Sequence, residues 1–161
     1  MDSVCEEKAE EIVRKYDSSH DSLISILQDV QSEYSYLPES IIKLVARKLE
    51  LPLIQVYGVA TFFKAFSLKP RGKHLLSVCL GTACHVRGAP AVLDEVEREL
   101  SIKPGETSED MQFTLETVNC LGACALGPII VVDGEYHGQI VPGKVQATIN
   151  RCKKSPKGGK K

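Results

Sequence analysis

The chain has 161 residues, of which 43% are apolar and 25% charged, a composition that suits a globular protein able to bury a core without disulfide staples. The net charge of −1 hides an uneven distribution: the last eleven residues carry six basic side chains and no acidic one, which leaves the first 150 residues with a net charge of −7. An acidic body argues against an extended basic face, so no nucleic-acid partner is expected.

The sequence predicts a protein of the reducing cytoplasm. Its first residues, MDSVCEEKAEE, lack the apolar segment of a secretory signal. No apolar run approaches the roughly 18 residues that span a bilayer, so we expect no direct membrane insertion. In such a chain, paired cysteines are more often metal ligands or redox groups than structural disulfides.

Four amphipathic helices are predicted in the N-terminal part. They are expected over residues 4–17, 22–34, 38–49 and 52–63. The second helix has an apolar stripe of Leu23, Ile26, Leu27 and Val30, and the third has one of Ile41, Leu44, Val45 and Leu49. Short amphipathic helices cannot bury their apolar faces alone, which predicts a small helical bundle over residues 1–68.

The hydrophobic period changes after a predicted linker at residues 67–74, SLKPRGKH. The following segments predict the order β-α-β-β-β-α, an α+β unit over residues 73–152. In chain order they are HLLSVCL, GAPAVLDEVEREL, QFTLETVNC, PIIVVDGEYHGQI and VPGKVQATINRC. The fourth segment is a hairpin signal, because Asp133-Gly134 separates two β-like runs. The basic end, residues 153–161, is predicted to be disordered.

Four cysteines form two closely spaced pairs. Cys79 and Cys84 enclose four residues, Cys120 and Cys124 enclose three, and 35 residues separate Cys84 from Cys120. Each pair is expected in a Gly-containing loop that follows a strand. Four thiolates from two loops can together hold a metal ion or a cluster.

Three chemistries use thiols in such a pattern. Structural zinc takes four cysteines, although pairs separated by two residues are more typical. Thioredoxin-type thiol exchange needs a C-x-x-C pair, which is absent. A [2Fe–2S] cluster takes two cysteines at each iron, which fits Cys79 and Cys84 on one and Cys120 and Cys124 on the other. The small residues between them favour the cluster, because the backbone can then approach the sulfurs, while zinc and redox thiols remain open.

The sequence assigns no role in the site to the histidines or to the two remaining cysteines. His85 follows Cys84 and is expected near the site or simply exposed. Surface or turn positions are predicted for His20, His74 and His137, and free, partly buried thiols for Cys5 and Cys152. The chain has neither a G-x-G-x-x-G motif nor a P-loop, so no nucleotide site is indicated.

These motifs resemble the family of the 24 kDa subunit of respiratory complex I, the NuoE-like proteins. The family includes the gamma-type subunits of NAD(P)-linked, electron-bifurcating [FeFe] hydrogenases and subunits of NAD-linked formate dehydrogenases. Its signature is one cysteine pair with four intervening residues and one with three. SVCLGTACHVRGA and VNCLGACALGP match it, and VYGVATFFKAF resembles the junction between the family's helical region and its cluster domain. The resemblance covers roughly residues 8–150.

The resemblance implies a thioredoxin-like C-terminal domain that carries one [2Fe–2S] cluster near its surface, bound by Cys79, Cys84, Cys120 and Cys124. It also implies a cis peptide bond before Pro128. The helical domain would dock on a larger flavin- and NAD(P)-binding subunit accompanied by further iron–sulfur subunits, with residues 56–66 in the docking surface.

The implied function is that of a one-electron relay, not catalytic alone, in a bacterial cytosolic complex. A bifurcating hydrogenase gamma subunit is favoured over a complex I or formate dehydrogenase subunit. The competing classes are a zinc-stapled interaction module and a mobile ferredoxin.

Overall fold

The chain divides into two compact units, Met1–Pro70 and Arg71–Lys161. The computed structural model describes residues 2–17 and 19–154, with the backbone alone at residues 2–6 and 154. The side chain of Cys5 and the end of the basic tail, residues 155–161, therefore lie outside the described residues. Within the described ranges, no helix combines the length and the apolar character needed to cross a membrane.

Over its described residues, the first unit contains four α-helices and a short 3₁₀ helix, His20–Ser22. Helix α1 spans Asp2–Arg14, α2 Leu23–Tyr34, α3 Glu39–Lys48 and α4 Leu53–Phe62. Pro38 and Pro52 directly precede α3 and α4, where a fixed φ and a missing N–H cost the helix nothing. Every residue of the stripes predicted for the second and third helices is buried. Helix α1 buries Ala9 and Val13, and Ile12 is partly buried against the same core.

The second unit is a four-stranded mixed sheet with helices, which confirms the α+β prediction. Its elements are β1 His74–Cys79, α5 Thr82–Val86, α6 Ala89–Leu100, β2 Phe113–Val118, β3 Ile129–Val132, β4 Glu135–Gly138 and α7 Pro142–Lys154. The strand order is β2-β1-β3-β4, with β1 and β2 parallel and the other pairs antiparallel. Helix α5 was not predicted, because a loop was expected there, and α7 continues through Lys153 and Lys154, where disorder was predicted.

The two faces of this sheet bury different sets of residues. One face packs with α6 and α7 and carries Leu76, Val78, Phe113, Leu115, Ile130 and Val132. On the other, Cys79, Ile129 and Val131 form a smaller cluster with Cys84 and Ala89. Successive side chains of a strand point to opposite faces, so β1 buries Val78 in the main core and directs Cys79 away from it.

The β3–β4 hairpin is fixed to the start of β1 by Asp133. Asp133 and Gly134 have φ values of 51° and 88°, as the predicted two-residue turn requires. The Asp133 carboxylate accepts a hydrogen bond from the backbone N–H of Leu75 at 2.9 Å, and its second oxygen lies 2.6 Å from Nδ1 of His74. The turn is thereby anchored to the central strand.

The predicted surface or turn positions of His74 and His137 are wrong. His74 is 1% exposed within β1, and His137 is 7% exposed within β4. Each imidazole has a polar partner at Nδ1 only: Asp133 contacts that atom of His74, and Nδ1 of His137 accepts a hydrogen bond from Arg151 at 2.8 Å, while Nε2 of both rings is buried without a hydrogen-bond partner. His20 is exposed, as predicted.

Candidate functional site

The four paired cysteines occupy two kinds of environment. Cys79 ends β1 and Cys84 lies within α5, and each is 2% exposed. Cys120 lies in the loop after β2 and Cys124 begins a short 3₁₀ turn, Cys124–Leu126, and both are exposed. Because β1 and β2 are parallel and Cys79 pairs with Val118, the two cysteine segments leave the sheet at the same edge. The first segment is thus partly helical, not the loop that was expected.

The two segments come into backbone contact at Gly81. A Cβ atom placed on Gly81 would lie 2.5 Å from the carbonyl oxygen of Asn119, a distance that side chains do not adopt. Beside this contact, the N–H of Leu80 donates to the carbonyl of Val118 at 2.8 Å. Only glycine permits this approach, which sets Cys120 against the first segment.

A second close approach lies at Gly127. A Cβ atom there would lie 3.1 Å from Sγ of Cys84 and 3.3 Å from the carbonyl oxygen of Cys124. The peptide bond between Gly127 and Pro128 is cis, as the resemblance implied. Gly127 therefore lies between the second cysteine of each pair.

The second cysteine segment takes part in polar contacts at one thiol and at two backbone carbonyls. The N–H of Gly122 donates to Sγ of Cys120 at 3.3 Å, a contact of the kind expected from the small residues between the cysteines. The guanidinium of Arg87 donates to the carbonyl of Cys124 at 2.6 Å and to that of Ala125 at 3.4 Å. Backbone donors of the kind seen at Gly122 stabilise thiolate or sulfide sulfur.

Burial raises the pKa of the Cys84 thiol, and the adjacent Cys79 thiol raises it further. A thiol in such surroundings becomes a thiolate when a cation compensates its charge, as a metal centre does. Cys84 therefore suits metal ligation better than free nucleophilic chemistry, which needs a lowered pKa.

The number of thiols fits either metal chemistry left open by the spacing. All four cysteines are free thiols. A mononuclear zinc site needs four ligands around one ion, whereas a [2Fe–2S] cluster needs only two thiolates at each iron.

The sequence matches the family of thioredoxin-like [2Fe-2S] ferredoxins over residues 9–153. The chain belongs to this family. Its cofactor is accordingly a [2Fe–2S] cluster, and the fold predicted for the second unit is confirmed.

Two curated relatives agree with the resemblance found in the motifs. The NADP-reducing hydrogenase subunit HndA of Solidesulfovibrio fructosivorans is 41% identical over 124 residues, which cover 77% of this chain and 72% of the relative. A subunit of the NADH-quinone oxidoreductase of Rickettsia bellii (strain RML369-C) is 34% identical over 148 residues, covering 90% and 89%. The resemblance to the complex I subunit family is therefore confirmed.

A solved structure shares the fold. The crystal structure of an air-oxidized NAD+-reducing [NiFe]-hydrogenase matches 82% of this chain with a TM-score of 0.70 at 17% identity. The present chain spans about a quarter of that polypeptide, 23% of its length. This likeness concerns the fold alone.

The sequence did not predict two features of the site. Arg87 stands three residues after Cys84 within the first cysteine motif, but its partner, Cys124, lies 37 residues away. Asn119 precedes Cys120, yet nothing local signals its contact with Gly81. Cys152 lies on α7, apart from the site and within the core, and burial raises the pKa of its thiol, which suits an unreactive residue.

Proposed function

We propose that Cys79 and Cys84 bind one iron of the [2Fe–2S] cluster and that Cys120 and Cys124 bind the other. The observation that carries this assignment is the convergence of both pairs at one sheet edge, where a Cβ atom on Gly127 would lie 3.1 Å from Sγ of Cys84 and 3.3 Å from the carbonyl oxygen of Cys124. When bound, the cluster takes up and releases one electron at a time. Zinc, left open by the spacing, has no comparable support.

The two cysteine pairs differ in solvent exposure, and we assign them different roles in holding the cluster. The buried pair anchors the cofactor to β1 and α5, and the exposed pair lies on the outer side of the site. A centre held in this way would exchange electrons through the exposed loop, and the fold would shield the buried pair from water. We infer an electron relay that is not catalytic alone, since no nucleotide motif accompanies it.

The complex that we favour is a bifurcating [FeFe] hydrogenase in the cytoplasm, in which this chain is the gamma-type subunit. The 41% identity with the NADP-reducing hydrogenase subunit supports this choice. A complex I subunit of the 24 kDa type is the second candidate, because the similarity to the NADH-quinone oxidoreductase relative extends over 90% of the chain. The third candidate, a subunit of an NAD-linked formate dehydrogenase, is supported only by the sequence resemblance.

The partner in either complex would be a larger flavin- and NAD(P)-binding subunit with further iron–sulfur subunits, and we propose that it docks on α4. This helix exposes Ile54 and Phe62 by 80% and 81%, and Leu53 and the adjoining Phe63 are exposed by 38% each. Contiguous exposed apolar residues mark interaction surfaces in soluble units. Within residues 56–66, the docking surface implied by the resemblance, Phe62 and Phe63 provide the apolar contacts.

Serine substitutions of single cysteines test the ligand assignment. Cys120→Ser should alter the visible absorption and the reduced-state EPR spectrum of the purified protein, and Cys5→Ser, outside both pairs, should leave them unchanged. Equal spectra for both variants would contradict the assignment. A colourless wild-type protein with one stoichiometric zinc would contradict the cluster itself.

Co-purification tests the partner. Phe62→Gln should reduce recovery of the flavoprotein while leaving the cluster spectrum intact. The matched control is Ile24→Gln on α2, which removes a side chain that is 41% exposed from the same unit. If both variants retain the flavoprotein equally, α4 is not the docking surface. A wild-type monomer that reduces many acceptors and retains no flavoprotein would favour the mobile ferredoxin.

A further inference from the structure

We propose that Arg87 is a positioning residue of the cluster site. Its guanidinium would clamp the Cys124 turn to the helix that holds Cys84, and its charge would raise the reduction potential of the cluster. This inference rests on the proposed ligand set, and it adds a residue that contacts a ligand's backbone without being a ligand.

The clamp follows from the position of Arg87. It directly follows α5, so its backbone is fixed to the helix that carries Cys84. Its Nη1 donates to the carbonyl of Cys124 at 2.6 Å and lies 3.5 Å from the Cβ position of Gly127. The same carbonyl accepts the N–H of Gly127 at 3.2 Å, which uses the second lone pair of its oxygen. Arg87 therefore completes the hydrogen bonding of the turn and joins it to the first cysteine segment.

The charge of Arg87 is not neutralised nearby. In the described part of the chain, the contacts of its guanidinium are carbonyl oxygens, and it forms no ion pair within 4.0 Å. Arginine stays protonated at every accessible pH, so this charge is permanent. A positive charge beside the Cys124 ligand stabilises the cluster state that holds the extra electron, and net charge is one of the factors that set such potentials.

Two variants separate the clamp from the charge. Arg87→Met removes both, whereas Arg87→Lys keeps a positive charge but loses the planar fork of donors. The control is Arg98→Met, which removes the same charge from the exposed surface of α6, where Arg98 pairs with Glu95. The measurements are a redox titration of the cluster in the full chain and amide exchange of residues 123–127 in the apoprotein.

The Arg87→Met variant should shift the potential to more negative values and speed amide exchange in the turn by about three- to tenfold, the range for one lost hydrogen bond. In Arg87→Lys the potential should stay near that of the wild type while exchange remains fast. Arg98→Met should change neither quantity.

The two proposals fail in different ways. If Cys120→Ser disrupts the cluster spectrum but Arg87→Met leaves the potential and the exchange unchanged, the Arg87 inference is overturned and the ligand set stands. If Arg98→Met shifts the potential as much as Arg87→Met, the charge effect is not local and that part of the inference is wrong. If Cys120→Ser leaves the spectrum unaltered, the ligand set itself falls.

Discussion

Replacing Gly81 by alanine should loosen the cluster, because the new methyl group has no space. Its Cβ atom would lie 2.5 Å from the carbonyl oxygen of Asn119. Carbon–oxygen contacts in proteins are ordinarily about 3.3 Å or longer, so the backbone before Cys120 must retreat by roughly 0.8 Å. The atom in the way is a backbone carbonyl, which no side-chain rotation can move.

The cost of such overpacking is typically about 1–3 kcal/mol, which corresponds to a factor of about 5 to 150 in the equilibrium between the native and the displaced arrangement. Gly81→Ala should therefore bind less iron per chain and lose its visible absorption faster in the presence of a chelator. The control is Gly143→Ala at the start of α7, where a Cβ atom meets nothing within 4 Å. Equal cluster retention in both variants would refute the steric argument.

Two further predictions concern the stability of the second unit. Asp133→Ala should lower the free energy of unfolding by about 2–4 kcal/mol in urea denaturation, because it removes two hydrogen bonds and leaves buried His74 without its partner. Asp133→Asn should lower the free energy of unfolding by less. Equal decreases for the two variants would contradict this account. Burial and Arg151 lower the pKa of His137 in the folded protein, so the unfolded state binds more protons between about pH 6.5 and the lower pKa of the folded state. The contribution of neutral His137 to stability should be complete above about pH 6.5 and decline as the pH falls below it, and His137→Gln should flatten this part of the profile.

Local periodicity was sufficient to predict most of the fold. The stripe from Leu23 to Val30 repeats with the helical period, and the turn at Asp133-Gly134 has residues that accept positive φ, so both could be identified without tertiary information. Helix α5 has five residues, too few for any period to show. In α1 the buried face is centred on Ala9, whose small side chain contributes little to a hydrophobic pattern.

The sequence was sufficient to propose the ligands of the candidate site, but it did not indicate the contacts that support them. Cysteine pairs are rare enough in sequence for their spacing to identify them as a set. The contact of Gly81 with Asn119 and the hydrogen bond from Arg87 to Cys124 join residues nearly forty positions apart, which only the parallel pairing of β1 and β2 brings together. The burial of His74 likewise depends on a carboxylate 59 residues away.

These supports act unequally on the two cysteine pairs. Cys79 and Cys84 are fixed by a strand and a helix within a buried cluster, whereas the loop that contains Cys120 and Cys124 depends on particular contacts at Gly81 and Arg87. Under the proposed ligand set, changes in the sheet core should affect whether the cluster assembles. Changes in the loop should instead affect the reduction potential and the lifetime of the cluster, because the exposed pair can move while the buried pair keeps its place.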